Sequence, residues 1–342
     1  MDDEMECVAA EVERLGEPKV QSPLPFTHFV PREKSVTMEI PQELHQKEHS
    51  GPQYYSFEES GPKERIYFDP SKTKCAIVTC GGLCPGINDV IRAVVMEAYY
   101  QYGISSVLGI RFGLQGFIPK YKHEVWELTP ANVSDVHEFG GTMLGSSRGH
   151  QSSEEIVDAV ERLNVNVLFV IGGDRAMKAA HAGAEEVRRR NMKISVIGVP
   201  KTIDNDIPFI SRSFGFDTAV SKAIEAIRCA HTEATGAYNG IGMVKLMGRE
   251  SGFIAAESSL SLKEVNFVLI PEDPFELEGE NGFLNHLRQR LRDRGHAVIV
   301  VAEGAGQDIC SKELGMEGEQ VTDASGNPVL GDVCGLLQDK IK

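Results

Sequence analysis

Six short segments of this 342-residue chain combine glycine, charge and hydroxyl groups in ways that suit phosphate and sugar chemistry. The most specific is Lys201-Thr202-Ile203-Asp204-Asn205-Asp206. Two carboxylates two residues apart repel each other, so at least one holds its proton more tightly than usual. One can then accept a hydroxyl proton while the other orients substrate or metal. Lys201 beside them offsets part of that repulsion. The competing readings are a solvated turn and a calcium loop, although the spaced oxygens and terminal Glu of an EF-hand are missing.

Two segments suit anions. Cys80-Gly81-Gly82-Leu83-Cys84-Pro85-Gly86-Ile87-Asn88 places glycines where a strand should pass into a helix. There the backbone can approach a phosphate and the helix N-terminus favours negative charge. A plain tight turn explains the same residues, and the segment is neither a Walker loop nor a G-x-G-x-x-G fingerprint. The run from Gly140 to Gly149 is small and polar and carries one cation, Arg148. A guanidinium there could stabilise charge on a transferring phosphoryl group; a surface loop is the simpler alternative.

The remaining three are shorter. In Gly172-Gly173-Asp174-Arg175 the carboxylate could hold Mg2+ beside a polyphosphate, or could serve as a helix N-cap. In Met247-Gly248-Arg249-Glu250-Ser251-Gly252, Arg249 could grip a phosphate or hydroxyl and Gly248 could offer its backbone. In Glu303-Gly304-Ala305-Gly306 one carboxylate is placed to accept hydrogen bonds from sugar hydroxyls.

Positioning these loops requires elements on either side. Short apolar runs at 75–79, 107–110, 165–171, 194–199, 240–246 and 297–302 predict strands. Amphipathic stretches at 89–99, 153–162, 174–190 and 281–295 predict helices between them. Strands alternating with helices imply an α/β fold with mostly parallel sheets covered by helices, whose ligands sit beyond the carboxyl ends of strands. Every strand-end loop described above meets that rule. Residues 1–70 are rich in Pro, Glu, Gln and Ser and predict an extension, partly wrapped on the body and partly disordered.

Composition narrows the function classes. A net charge of −15 disfavours nucleic acid and anionic membrane as partners. No apolar run reaches transmembrane length, and the acidic N-terminus resembles neither a signal nor a transit peptide. Seven scattered cysteines, with no second pair to complete a zinc site around Cys80 and Cys84, suit reduced thiols in the cytoplasm.

Taken in order, GGLCPGIN, GGTMLGSSRG, GGD, PKTIDND, SFGFDTA, MGRESGF and AEGAGQD resemble the 6-phosphofructokinase family, and its plant and protist branch most. The resemblance covers residues 60–342 and implies two Rossmann-like lobes. These are a phosphate-donor lobe at 71–215 and a fructose-phosphate lobe at 216–342, shortened at its C-terminal end. It implies ATP as phosphate donor, Mg2+ as cofactor, fructose 6-phosphate as acceptor, and assembly into homo- or hetero-oligomers.

Carried over by motif, the resemblance makes Asp204 the general base, with Thr202 and Asp206 beside it. Gly81, Gly82, Gly173 and Arg175 would face the nucleotide, Arg148 would stabilise the transferring group and Asp174 would hold the metal. Met247, Gly248, Arg249 and Glu303 would bind the sugar phosphate. Three departures point elsewhere: Arg175 and Ala179 stand where the family has glycines, and Leu114 where a Tyr is common. They leave two alternatives, a catalytically impaired binding or regulatory subunit and a pyrophosphate-dependent enzyme.

Overall fold

The computed structural model describes residues 7–10, 12–25, 28–39, 54–313, 322 and 328–342. The chain divides into two compact units, one of residues 1–82 and 87–199, the other of residues 83–86 and 200–342. The sequence expectation set the boundary after 215. The structure sets it at 199/200, because the Lys201–Asp206 loop packs with the segments that follow it.

In the first unit the N-terminal part forms β1 (Cys7–Ala9), β2 (Val20–Gln21), β3 (Ser35–Glu39), β4 (Tyr54–Glu58) and β5 (Arg65–Ile66). These make a small β1-β4-β3 sheet and a β2-β5 pair. The described part of 1–70 is therefore more regular than its composition suggests, since strands of two to five residues leave almost no periodicity to read. The disorder expected for the rest falls outside the described residues.

The central sheet has the order β10-β9-β6-β7-β8. Its members are β6 (Lys74–Thr79), β7 (Ser106–Ile110), β8 (Val125–Leu128), β9 (Val167–Gly172) and β10 (Ser195–Pro200). β6 runs parallel to β7 and β9, and β8 runs antiparallel to β7. The helices are α1 (Ile87–Met96), α2 (Ser153–Arg162) and α3 (Asp174–Arg189). Ile156, Val157 and Val160 of α2 and Ala176, Ala180 and Val187 of α3 join Ala76, Val78, Leu168 and Val170 in one core. Consecutive residues Ala76, Ile77 and Val78 are all fully buried, so β6 is covered on both faces.

The second unit contains α4 (Phe216–Gly236), β11 (Gly240–Leu246), α5 (Phe253–Leu260), β12 (Phe267–Leu269), α6 (Phe283–Arg294), β13 (His296–Ala302), α7 (Gln307–Glu313) and α8 (Val333–Ile341). Its sheet is wholly parallel in the order β11-β13-β12. β13 is the central strand, and Ala297 to Ala302 expose no surface. That accounts for its unbroken apolar sequence. β11 and β13 pair in register from Gly240↔His296 to Leu246↔Ala302. The segments leaving their carboxyl ends, Met247–Gly252 and Glu303–Gly306, consequently start side by side.

Candidate functional site

The second unit gathers the residues expected on the sugar side. The pairing of β11 and β13 continues past the strands: Glu303 N–H donates to the Leu246 carbonyl at 2.9 Å and Gly304 N–H to the Gly248 carbonyl at 3.0 Å. Glycine is required at both ends of this junction. Gly248 has φ +129° with room for no Cβ beside Ser251, and a Cβ on Gly304 would lie 1.7 Å from the Arg249 carbonyl oxygen. Met247 is exposed, Gly248 buried, and Arg249 and Glu303 half-buried. The Arg249 guanidinium donates to the Pro328 carbonyl.

The Lys201–Asp206 loop leaves β10 and is fixed by its own hydroxyls and amides. Asp204 N–H donates to Thr202 Oγ1 at 3.0 Å, and the same hydroxyl donates to Asp206 Oδ1 at 3.0 Å. Asn205 adopts the left-handed conformation, φ 57°. Its carboxamide accepts from Ser213 N–H at 2.8 Å and donates to the Ser211 carbonyl at 3.2 Å. Asn tolerates that backbone region better than most residues, and its side chain closes the turn locally. Ser213 Oγ donates to the Thr202 carbonyl at 2.7 Å.

This packing has an electrostatic result. Asp204 Oδ1 is buried with no hydrogen-bond partner among the described residues. Burial, followed by repulsion from Asp206 and Glu303, pushes the Asp204 carboxyl up to about 6, against a partial pull downward by Lys201 and Arg249. The mutual repulsion inferred from the spacing is therefore present, but desolvation is the larger cause. Lys201 is itself buried. A carboxylate held in this range is mostly ionised near pH 7 and can take up a proton when an acceptor hydroxyl loses one.

The first unit holds the residues expected on the phosphate side: Gly81, Gly82, Arg148, Gly173, Asp174 and Arg175. Their loops are tied to one another. Ser146 Oγ donates to the Gly81 carbonyl at 2.6 Å, and Thr79 Oγ1 to the Gly145 carbonyl at 2.7 Å. Asn88, buried at the start of α1, donates to the Phe139 carbonyl and accepts from Met143 N–H. Gly172 packs closely enough on Cys80 that a Cβ would lie 3.1 Å from its carbonyl. The glycines themselves stay open: a Cβ on Gly81 or Gly82 would meet nothing within 4 Å, although Gly81 has φ +81°.

Arg148 and Arg175 are exposed, and neither forms an ion pair with a described residue. At the β9–α3 junction the N-cap is Gly173, not Asp174. Asp174 occupies the first helical position, exposed, and pairs with Lys178 at 2.8 Å. No group of three His, Cys, Asp or Glu able to hold a metal occurs among the described residues. A single accessible carboxylate still fits Mg2+, which keeps several waters and binds through one or two carboxylates plus substrate phosphates. Leu114 packs against the first unit's core. Of the three residues expected to be catalytic, Thr202 and Asp204 belong to the second unit and Arg148 to the first.

Two supporting serines had no role in the sequence reading, and Cys84 had none as a support. Ser251 is buried and its Oγ donates to the Asp204 carbonyl at 2.9 Å. Ser213 supports Thr202 as described above. Cys84 is a buried thiol whose Sγ donates to the Phe214 carbonyl at 3.2 Å. Ser251 and Ser213 sat inside the quoted motifs MGRESGF and SFGFDTA, which was the available signal.

Residues 74–336 match the family model described as Phosphofructokinase. Over 345 aligned residues the chain is 46% identical to an ATP-dependent 6-phosphofructokinase of Borreliella burgdorferi, covering 96% of this chain and 75% of that protein. It is 49% identical over 286 residues to ATP-dependent 6-phosphofructokinase 1 of Arabidopsis thaliana, covering 84% of this chain and 60% of that protein. Among solved structures, a pyrophosphate-dependent phosphofructokinase from Marinobacter aquaeolei superposes with a TM-score of 0.59 at 26% identity. That match covers 68% of this chain and 61% of the other. The chain thus spans only part of the length of each of these proteins.

Proposed function

Because this chain belongs to the phosphofructokinase family, we propose that it transfers the terminal phosphoryl group of ATP to the 1-hydroxyl of fructose 6-phosphate. The observation that carries this reading is the half-buried Asp204 carboxylate, with one oxygen buried and unpartnered among the described residues, raised to about 6 on a loop fixed by Thr202, Asn205 and Ser213. In such a reaction Asp204 accepts the hydroxyl proton as the oxygen attacks phosphorus. Arg249 and the Gly248 backbone hold the sugar phosphate, with Met247 packing beside it. Glu303 accepts hydrogen bonds from sugar hydroxyls, and Thr202 and Asp206 keep the base oriented.

On the donor side, the uncrowded backbone at Gly81 and Gly82, where an added Cβ would meet nothing within 4 Å, suits the polyphosphate, with Gly173 at the start of α3 beside it in the same reading. Arg148 stabilises the negative charge that spreads over the transferring group. Mg2+, held through Asp174, would neutralise charge on the donor phosphates when bound. Arg175, exposed one residue further on, serves as a second phosphate contact in this reading. Assembly into homo- or hetero-oligomers belongs to the same reading.

The relatives at 46% and 49% identity carry names that specify ATP, which favours ATP over pyrophosphate. The structural neighbour named for pyrophosphate is at 26%. A coupled assay of the purified chain with fructose 6-phosphate and Mg2+ decides among the readings. ATP turnover that disappears in Asp204→Ala is the expected result. Turnover with pyrophosphate and none with ATP would reassign the donor. Binding of fructose 6-phosphate with no turnover from either donor would leave a binding or regulatory subunit.

A further inference from the structure

We propose that Ser251 is a positioning residue for the reaction, tying the backbone of the base to the loop that grips the sugar phosphate. The proposal rests on the function assigned above and adds a residue to it. Ser251 lies two positions beyond Arg249, on the segment that leaves β11 and enters α5. It is buried, at 4% exposure, and its Oγ–H donates to the Asp204 carbonyl at 2.9 Å. A hydroxyl at that depth is rarely placed without a partner, and here the partner is the main chain of the base.

The segment carrying Ser251 is fixed at both of its ends. Upstream, the Gly248 carbonyl accepts from Gly304 N–H. Downstream, Gly252 N–H donates to Glu272 Oε1 at 2.7 Å, and a Cβ on Gly252 would lie 2.4 Å from Ile270. The Asp204 carbonyl is therefore held by a rigid support and not by a free side chain. On the opposite side of the loop, Ser213 holds the Thr202 carbonyl at 2.7 Å. The two serines grip alternate carbonyls of the same loop, so the backbone from which the Asp204 carboxylate projects is held on either side of Ile203. Ser251 differs from Ser213 in that its own segment contains Arg249 and Gly248. A shift of the sugar-phosphate loop would be passed to the base through a single hydrogen bond.

The test compares Ser251→Ala and Ser251→Thr with the unaltered chain. Ser251→Ala should lower kcat about tenfold or more with little change in KM for fructose 6-phosphate, because a misplaced base loses rate and not binding. Ser251→Thr keeps the hydroxyl and should recover most of that loss. In the same proteins, carbon-13 NMR of the Asp204 carboxyl should show its titration midpoint moving down towards the ordinary carboxylate range in Ser251→Ala only. A role confined to stability would lower Tm in Ser251→Ala while leaving the Asp204 titration and the kcat-to-KM pattern unchanged, and that result overturns the proposal. Failure of the unaltered chain to turn over overturns the function instead, and the titration then still decides whether Ser251 sets the Asp204 carboxyl.

Discussion

The loops of the first unit and those of the second are built on opposite plans. In the second unit the chemistry is enclosed: Asp204 has a buried, unpartnered oxygen and lies in a loop held by three side-chain hydroxyls and an Asn. In the first, the polar atoms that could meet a ligand are exposed, and the hydrogen bonds lie behind them, between backbone and Thr79, Asn88 and Ser146. The difference follows from what each set must do. A base works by having its proton affinity tuned, and tuning a carboxylate upward requires removing water and adding like charge. A phosphate brings its own charge and needs only donors that stay accessible. Enclosure suits the first task and openness the second.

Removing the enclosed group should have the largest effect. Asp204→Asn deletes the proton acceptor without changing its size, and kcat should fall about 10³-fold, within the range general bases contribute. In the unaltered chain kcat/KM should decline below about pH 6 as Asp204 takes up its proton. A flat profile from pH 5 to 8 would remove Asp204 from the role. On the open side, Arg148→Ala should lower kcat about 10²-fold, the usual loss for one donor to a developing charge. Because Arg148 is exposed and unpaired among the described residues, Tm should stay within a degree or so. A Tm drop comparable to a core substitution would show that the first unit's loops are not as open as their geometry indicates.

A smaller effect, on stability, runs in the opposite direction at the base. Asp204 has its folded-state carboxyl raised from 3.8 to about 6, so the folded chain binds the proton more tightly than the unfolded one. Its contribution is therefore favourable at low pH and is lost as pH rises through the window between those values. Above it, the ionised group costs stability. Asp204→Asn should accordingly be more stable than the unaltered chain at pH 8 by about 1 kcal/mol, after allowing for partial exposure. The gain should vanish near pH 4. Thermal melts of both proteins across that range check the sign, and a gain independent of pH would deny the desolvation of Asp204. Stability gained where activity is lost is the expected trade at a strained functional group.

The enclosed plan was the more legible of the two in the sequence, though not for the reason that makes it work. The spacing of Asp204 and Asp206 signalled repulsion, yet desolvation contributes more, and burial of a loop cannot be read from two carboxylates. The strands at 240–246 and 153–162's helix were evident from periodicity and agree with β11 and α2 in full. α4 shows the same helical spacing in its buried positions Phe216, Val220, Ala223, Ile227 and Ala234, but only its first turn stands out as a motif. Its start was absorbed into SFGFDTA. Contacts across sequence, such as Ser251 to Asp204, are 47 residues apart and leave no local signature. Asp174 shows the converse: type and position suited either a metal ligand or a cap, and Gly173 takes the cap position, leaving the carboxylate paired with Lys178.

Glycines give the sharpest contrast between the plans. In the second unit Gly304 exists to let two loops touch. An added methyl would overlap the Arg249 carbonyl, so Gly304→Ala should force the β11 and β13 extensions apart. It should cost about 2 kcal/mol or more as overpacking and unsettle the Arg249 segment. In the first unit Gly82 has no such neighbour and no positive φ, and a methyl there meets open space. Gly82→Ala should leave the protein as stable as before, or slightly more so through a stiffer unfolded chain. It should nevertheless weaken the donor nucleotide, because the methyl stands where a phosphate would approach the backbone. Denaturant melts paired with KM for ATP separate the two quantities. Unchanged stability with a raised KM is the pattern of a glycine kept for a ligand. Loss of stability with KM unchanged would instead make Gly82 a turn residue and place the phosphate contacts on Gly81 and Arg148 alone.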